Sequence, residues 1–422
     1  MDQADSFAFS PTIKYRKMES TDEKEGLLCG IRLIDLADEK ASFCSRLLAD
    51  LGASVIKVER PGGDPSRQIG PFFENTSSPD GSLSFRYYNT DKLGITLDIE
   101  KDEGKEIFFR LVKTTDVVVE TFAPGYLDKL GLGFYVLREI NPGLILISVT
   151  GFGQDGPRSQ HKSCDLVASA SGGQMYVSGS SEAPPLTPYG EQSFYPASLY
   201  AAISILLALR KRTHSGRGGH VDISLQEAVA STLDHVMVRY FYDRIIPRRQ
   251  GNLSWNNSSF ILPCKDGHMH LNISTQWETL IEWMASEGMA GDLIDDKWKE
   301  EEYRLRNIDH VMDVLQRWTR THSARELFEL GQCMRFPWAP VYSPEEVLQG
   351  PQLKAREFFV DVDHPELRTV LPYPGVPYRL NQGALKRRRR APLIGEDNAQ
   401  IYEKELGLSE EEMERLSSLK VI

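Results

Sequence analysis

A carboxylate stands just ahead of a long apolar stretch in this chain. Tyr189, Gly190, Glu191, Gln192 and Ser193 form a polar step that leads into Pro196–Arg212. Pro196 suits a first helical position, where its missing N–H is not needed. From Leu199 to Leu209 only Ser204 is clearly polar, so the pattern predicts a helix over 196–212 that is buried on most sides. Arg210, Lys211 and Arg212 complement the dipole at its C-terminal end. A buried helix that begins beside Glu191 makes an anchored polar site. Thiols offer less. The five cysteines are scattered and include no CxxC pair, which indicates neither a disulfide framework nor a zinc site. For Cys164 no His or Asn partner is assignable, and it reads as a small buried hydrophobe. Asp165 beside it is a second carboxylate, read as a structural hydrogen-bond acceptor. The basic run Lys386–Arg390 reads as a solvated rim, with phosphate binding as the alternative.

The elements that must position these groups alternate in type. Residues 30–36 read as a strand and 53–59 as another, with a polar loop (Asp38, Glu39, Lys40) and a helix to Leu51 between them. This is a βαβ unit with parallel strands. Strands are expected near 94–98, 116–121, 144–151 and 220–224, and a helix over 101–113. The sum is an α/β fold, a doubly wound sheet whose ligands sit beyond the strands' carboxyl ends. The first turn lacks GxGxxG, so no dinucleotide fingerprint is present. Ser224 and Glu227 have capping-box spacing. The composition changes near residue 245, which places a smaller α+β domain at 245–340, with helices near 276–289 and 307–319. Residues 1–25 form an N-terminal extension and 26–230 the large domain. Residues 341–422 form an irregular, Pro-rich linker and a C-terminal segment, whose last helix starts at Ser409.

Size and charge narrow the function. A chain of 422 residues with 41% hydrophobic and 26% charged content can build a large core in more than one domain. The net charge of -11 argues against general nucleic-acid binding. No apolar run reaches the ~20 residues of a membrane span, and no secretory segment is seen. The reduced cytoplasm is the expected location.

Seven stretches now carry a resemblance: LLADLGASVIKVERPGGDPSR (47–67), YYNTDKLGITLDI (87–99), DVVVETFAPGYLDKLGL (116–132), NPGLILISVTGFGQDGP (141–157), DLVASASGG (165–173), LLALRKRTHSGRGGHVDISLQEAV (206–229) and APLIGEDN (391–398). In order and number they resemble family III CoA-transferases, the group of formyl-CoA and carnitine CoA-transferases and α-methylacyl-CoA racemase. The resemblance implies a Rossmann-like large domain built from both chain ends, a small domain, and two subunits interlocked like linked rings. It implies CoA, carried by an acyl-CoA, as the ligand, a carboxylic acid as acceptor, and no metal. It also implies an aspartate that attacks the thioester, giving a mixed anhydride and then an enzyme-bound CoA thioester.

Residue by residue, the family's aspartate position is Glu191, one methylene longer. A ~1 Å displacement of a reacting group can cost ~100-fold. Glu191 is thus either a displaced nucleophile or a charge at a helix N-terminus. Glu39 stands on a loop where the family has a small or amide residue over the thioester. Cys164 takes the place of a Tyr, or of the racemase His, so a racemase role is not expected. On the CoA side, Arg60, Leu97, Thr121, Phe122, Lys129 and Lys162 match CoA-contacting positions. Lys129 stands for an Arg and Leu93 for another, which loses forked hydrogen bonding. A kept scaffold with changed reacting groups implies a subunit paired with a homologous catalytic chain. The paired-subunit members that move CoA from succinyl-CoA to benzylsuccinate in anaerobic toluene breakdown have this form. A self-sufficient enzyme using Glu191 and a non-catalytic acyl-CoA-binding scaffold are the alternatives. Trp255, Phe260, Trp277 and Trp283 serve either an aromatic acid or the core.

Overall fold

A computed structural model describes residues 26–379 and 389–422. The expected extension 1–25 and residues 386–388 of the basic run lie outside them. Six strands, β1 (Arg32–Leu36), β2 (Ser54–Glu59), β3 (Lys92–Thr96), β4 (Val117–Glu120), β5 (Ile145–Thr150) and β6 (Gly219–Ser224), form one sheet in the order β3-β2-β1-β4-β5-β6. All five pairings are parallel, with Ile34 of β1 beside Ile56 on one flank and Val118 on the other. Strands β4 and β5 are buried throughout, as a sheet covered on both faces requires. The period-two alternation sorts the strands' side chains. Leu33, Val55, Val117 and Ile145 pack in one core with helix α1 (Ser42–Asp50). Ile34, Ile56, Val118 and Leu146 pack in the other with α2 (Asp102–Val112). Strand order reverses between β1 and β4, so the crevice opens beyond their carboxyl ends. There the Asp38 N–H donates to Thr121 Oγ1 at 3.0 Å, and that hydroxyl donates to Asp38 Oδ1 at 2.8 Å.

A buried ionic floor lies under the β1 loop. Asp35 accepts from the Ala37 N–H at 2.9 Å and from Lys92 Nζ at 2.7 Å. Lys92 Nζ also donates to Ser42 O and Asn89 Oδ1, and Lys57 Nζ to Ala37 O and Asp64. Both lysines are fully buried.

Beyond β5 come α3 (Asp165–Ser171) and α4 (Phe194–Ser215). Helix α4 starts before Pro196 and runs past Arg212, closing at Gly216 in the left-handed region. The expectation that α4 is buried on most sides fails. Ala197, Ser198, Ala201, Ile205 and Leu209 are buried, whereas Leu199, Tyr200, Ile203, Leu206 and Leu207 are exposed. The small residues face the sheet, and a second apolar face is left uncovered. Helix α5 (Asp234–Asp243) likewise exposes Val238, Tyr240, Phe241 and Tyr242.

The third core draws only on residues between 253 and 338. It joins the antiparallel strands β7 (Ser259–Pro263), β8 (His268–Asn272) and β9 (Ala339–Pro340) to α6 (Trp277–Ser286), α7 (Ile308–Thr319) and α8 (Ala324–Cys333). Phe260 and Trp277 are buried in it and Trp283 packs against it, whereas Trp255 lies exposed on His235. The Pro-rich stretch after 341 is more regular than expected. It forms the hairpin β10 (Phe359–His364) and β11 (Thr369–Pro374). Arg389 and Arg390 pair with Glu366, Glu396 and Asp397, which leaves them committed to carboxylates of the chain itself. The chain then returns to the large sheet, where Asp397 accepts the Gly94 N–H and Ile401, Tyr402 and Leu416 enter the α2-side core. The last helix, α9 (Glu410–Ser418), begins at a reciprocal Ser409–Glu412 capping box.

Candidate functional site

A cavity of about 470 Å³ opens at the N-terminal end of α4. Its polar wall is Glu39, Cys164, Asp165 and Glu191, and Leu166, Pro188, Tyr189 and Phe194 add apolar surface. Three elements bring these together: the loop after β1, the start of α3 and the step into α4. Asp165 ties the last two, because Oδ1 accepts the Ser193 N–H at 2.8 Å. Gly190 takes φ +79, a conformation that a side chain would strain, so the turn carrying Glu191 depends on it. Glu39, Cys164 and Glu191, separated by up to 152 positions in sequence, therefore meet at one opening. Cys164 is exposed at the N-cap of α3, which corrects its reading as a buried hydrophobe. The polar loop before it keeps it out of the core.

The electrostatics set this wall apart. Burial raises the Glu191 carboxyl above the ordinary range, and Asp165 and Asp38 push it further. Burial also raises Glu39, with Asp38 and, least, Glu191 adding to it against a backbone hydrogen bond and the pull of Lys40. Lys40 itself is bonded to Asp38. At the end of β4, Glu120 is 4% exposed, and burial lifts it to about 7 against hydrogen bonds from Ser148 and the Phe122 N–H. The Ser148 hydroxyl in turn meets His220 Nε2 at 2.9 Å.

The residues matched to a CoA contact lie in a second zone, beyond β2, β3 and β4. Arg60 is exposed and pairs with Glu100 and the Tyr126 hydroxyl. Phe122 packs on Tyr126 with ring centroids 4.7 Å apart. Lys129 and Lys162 are exposed, and the loop carrying Lys162 touches Pro124 through Gln160. Two matched residues are not free to meet a ligand as expected. The Leu97 side chain is 1% exposed in the α2-side core, because β3 leads straight into the apolar layer there. Thr121 is buried and its hydroxyl is used by Asp38. Sequence reading passed over Tyr126 and Glu100, and placed Glu120 at a strand's carboxyl end without a role of its own. Tyr126 and Glu100 belong to short or exposed segments with no periodic signal. Glu120 ends an apolar run, where a lone carboxylate was the available sign of a buried polar position.

The model of CoA-transferase family III matches residues 28–398. The chain is 34% identical over 379 residues to succinyl-CoA:(R)-benzylsuccinate CoA-transferase subunit BbsE of Thauera aromatica, covering 88% of this chain and 92% of that one. It is 33% identical over 389 residues to succinyl-CoA:mesaconate CoA-transferase of Haloarcula hispanica, covering 90% and 96%. A CAIB/BAIF family protein from Brucella suis shares its fold with a TM-score of 0.81 at 29% identity, covering 90% of this chain and 99% of that one.

Proposed function

The chain belongs to CoA-transferase family III, and from that premise we propose that it is one subunit of a hetero-oligomeric CoA-transferase. In this reading the assembly moves CoA from an acyl-CoA such as succinyl-CoA to a carboxylic acid such as benzylsuccinate. A homologous partner supplies the attacking aspartate. The observation that carries the reading is the wall around Glu191. At the family's aspartate position stands a longer carboxylate whose ionised form is opposed by burial and then by Asp165 and Asp38, with Glu39 on the same wall. A nucleophile needs the opposite: a stabilised anion aimed at the carbonyl carbon. The uncovered apolar faces of α4 and α5 support a second chain as their cover. A stable hetero-oligomer is the expected state.

The CoA side is proposed at Arg60, Phe122, Lys129 and Lys162, with Tyr126 joining them. Cations beside an aromatic surface suit a ligand with several phosphates and an adenine ring. Arg60→Ala is expected to weaken CoA binding by about 1–3 kcal/mol, measured by calorimetry; unchanged affinity removes Arg60 from the site. Leu97 and Thr121 contribute by shaping the floor.

A second reading has one observation behind it. Glu191 lines the cavity itself. If it is the nucleophile, its carboxylate attacks the thioester carbonyl, CoA leaves as the thiolate, and a mixed anhydride remains. Return of CoA thiolate to the glutamyl carbonyl then releases the acyl group as a free acid. Intact-mass spectrometry of the complex incubated with acyl-CoA decides. No CoA-sized increase is expected on this chain, and an increase that Glu191→Gln abolishes would replace the first reading with the second.

A further inference from the structure

We infer that Glu120 is a positioning residue for the CoA-binding corner: its carboxyl fixes the turn that presents Phe122 and, through Tyr126, Arg60. The inference rests on the CoA side proposed above and gives that corner the group that holds it in shape. Strand β4 ends at Glu120, and the chain leaves the sheet in a turn before the short helix Tyr126–Lys129. An N–H just past a strand end has lost its ladder partner and must find another acceptor. For Phe122 that acceptor is Glu120 Oε2, at 2.7 Å, and no other is found among the described residues.

Glu120 can serve as an anchor because it is held in turn. Ser148, its register partner on β5, hydrogen-bonds to the carboxyl. A serine that donates to the carboxylate keeps its oxygen free to accept from His220 Nε2, 2.9 Å away on β6. His220 is stacked on Phe134, with ring centroids 5.7 Å apart. The three form a polar row on the face where the same strands carry Val118 and Leu146. Such a row costs desolvation unless each member is paired, and at its inner end the partner is the Phe122 N–H. From there the effect reaches the ligand side. Phe122 packs on Tyr126, whose hydroxyl accepts from Arg60 at 3.0 Å. Thr121 stays tied to Asp38 in both directions. Loss of the Glu120 oxygen therefore loosens the Phe122 ring without freeing the whole loop.

The test uses the full-length chain in its native assembly, with 3′,5′-ADP and pantetheine as probes of the two halves of CoA. Glu120→Ala should weaken 3′,5′-ADP roughly tenfold in calorimetry and leave pantetheine within about twofold in ligand-observed NMR. Glu120→Gln keeps an oxygen for the Phe122 N–H and should restore the nucleotide affinity. Phe122→Ala should lose as much as Glu120→Ala, and the double variant little more than either, because both act through one ring. Should Glu120→Ala not fold, Ser148→Ala carries the same comparison with a loss of roughly threefold. Nucleotide affinity indifferent to these changes, a loss shared equally by pantetheine, or losses that add in the double variant overturn the positioning role while leaving the CoA site intact. Failure of the wild type to bind CoA or 3′,5′-ADP overturns the proposed CoA side, and the positioning role with it.

Discussion

The loop from Ala37 to Ser42 separates two groups of carboxylates that the fold treats in opposite ways. Below it, Asp35 is buried and Asp64 partly so, and each meets an ammonium group, from Lys92 and Lys57 respectively. Burial works against the Asp35 anion, but Lys92 and Lys57 together outweigh it and hold the carboxyl below its ordinary value. On the loop and above it, Glu39 and Glu191 are only partly buried, yet both are pushed up, first by burial and then by neighbouring carboxylates. Desolvation opposes the anion in both groups; the sign of the neighbouring charge decides which way the balance falls. Matched charges pin a backbone, whereas unmatched ones mark a surface that answers to a ligand or a partner.

Removing a lysine from below is the most severe way to break this contrast. Lys92→Met leaves the Asp35 carboxylate buried without its ammonium and also strips Ser42 O and Asn89 Oδ1 of a donor. A loss of about 3–5 kcal/mol is expected in urea unfolding. The double variant Lys92→Met with Asp35→Leu should recover part of that loss, since no orphaned charge remains. A single-variant loss under ~1 kcal/mol would mean that the floor does not hold the loop.

Glu120, at the end of β4, sharpens the comparison through pH. Burial raises it to about 7, with Asp222 and Asp38 adding to it against hydrogen bonds from Ser148 and the Phe122 N–H. A carboxyl raised in the folded state binds more protons there than in the unfolded chain. Its contribution is therefore fully present below the ordinary carboxyl value near 4.5 and is lost as pH rises through about 7. Glu120→Gln keeps an oxygen for the Phe122 N–H and removes the titration. The variant is expected to be more stable than wild type at pH 8 by about 2–3 kcal/mol, with little difference at pH 4.5. Thermal melts across that range measure it, and equal slopes for both proteins would show that Glu120 does not titrate in the fold.

The sheet was legible because its information is local. Apolar runs such as 144–151 carry the strand signal themselves, and Gly52 marks the end of the first helix. The central helix was legible in place but not in its surroundings. Apolar residues on all sides read as full burial, while the chain covers only the small-residue face and leaves Leu199, Ile203 and Leu207 exposed. A single sequence does not say how many sides of an apolar helix the chain itself covers. The convergence of Glu39, Cys164 and Glu191 came from matching positions rather than from spacing, and the structure brings them to one cavity. Leu97 shows the limit of that matching. A matched position can be right in the backbone and still turn its side chain into the core. The floor of Lys57 and Lys92 left no sign either, because a lysine within a strand pattern looks the same in sequence whether buried or exposed.

The smallest expected effect tests the upper side of the loop directly. Glu191→Gln removes one charge from a group of carboxylates and one anion from the neighbourhood of the α4 N-terminus, and the two consequences have opposite signs. The helix dipole favours the anion by a few tenths to ~1 kcal/mol. Asp165 and Asp38 disfavour it, as does burial. The side chain is partly exposed, so solvent screens both terms. Because the folded state raises this carboxyl, its contribution is present below the ordinary value and lost as pH rises, which puts the variant's advantage on the alkaline side. Glu191→Gln is therefore expected to match wild-type stability at pH 5 and to equal or exceed it at pH 8 by no more than ~1 kcal/mol, with turnover of the assembly nearly unchanged. A clear loss of stability at pH 8 would mean that the anion serves as a cap and that the upper carboxylates are matched after all, by backbone N–H groups instead of lysines. Collapse of turnover with stability intact would instead place the reacting carboxylate on this chain.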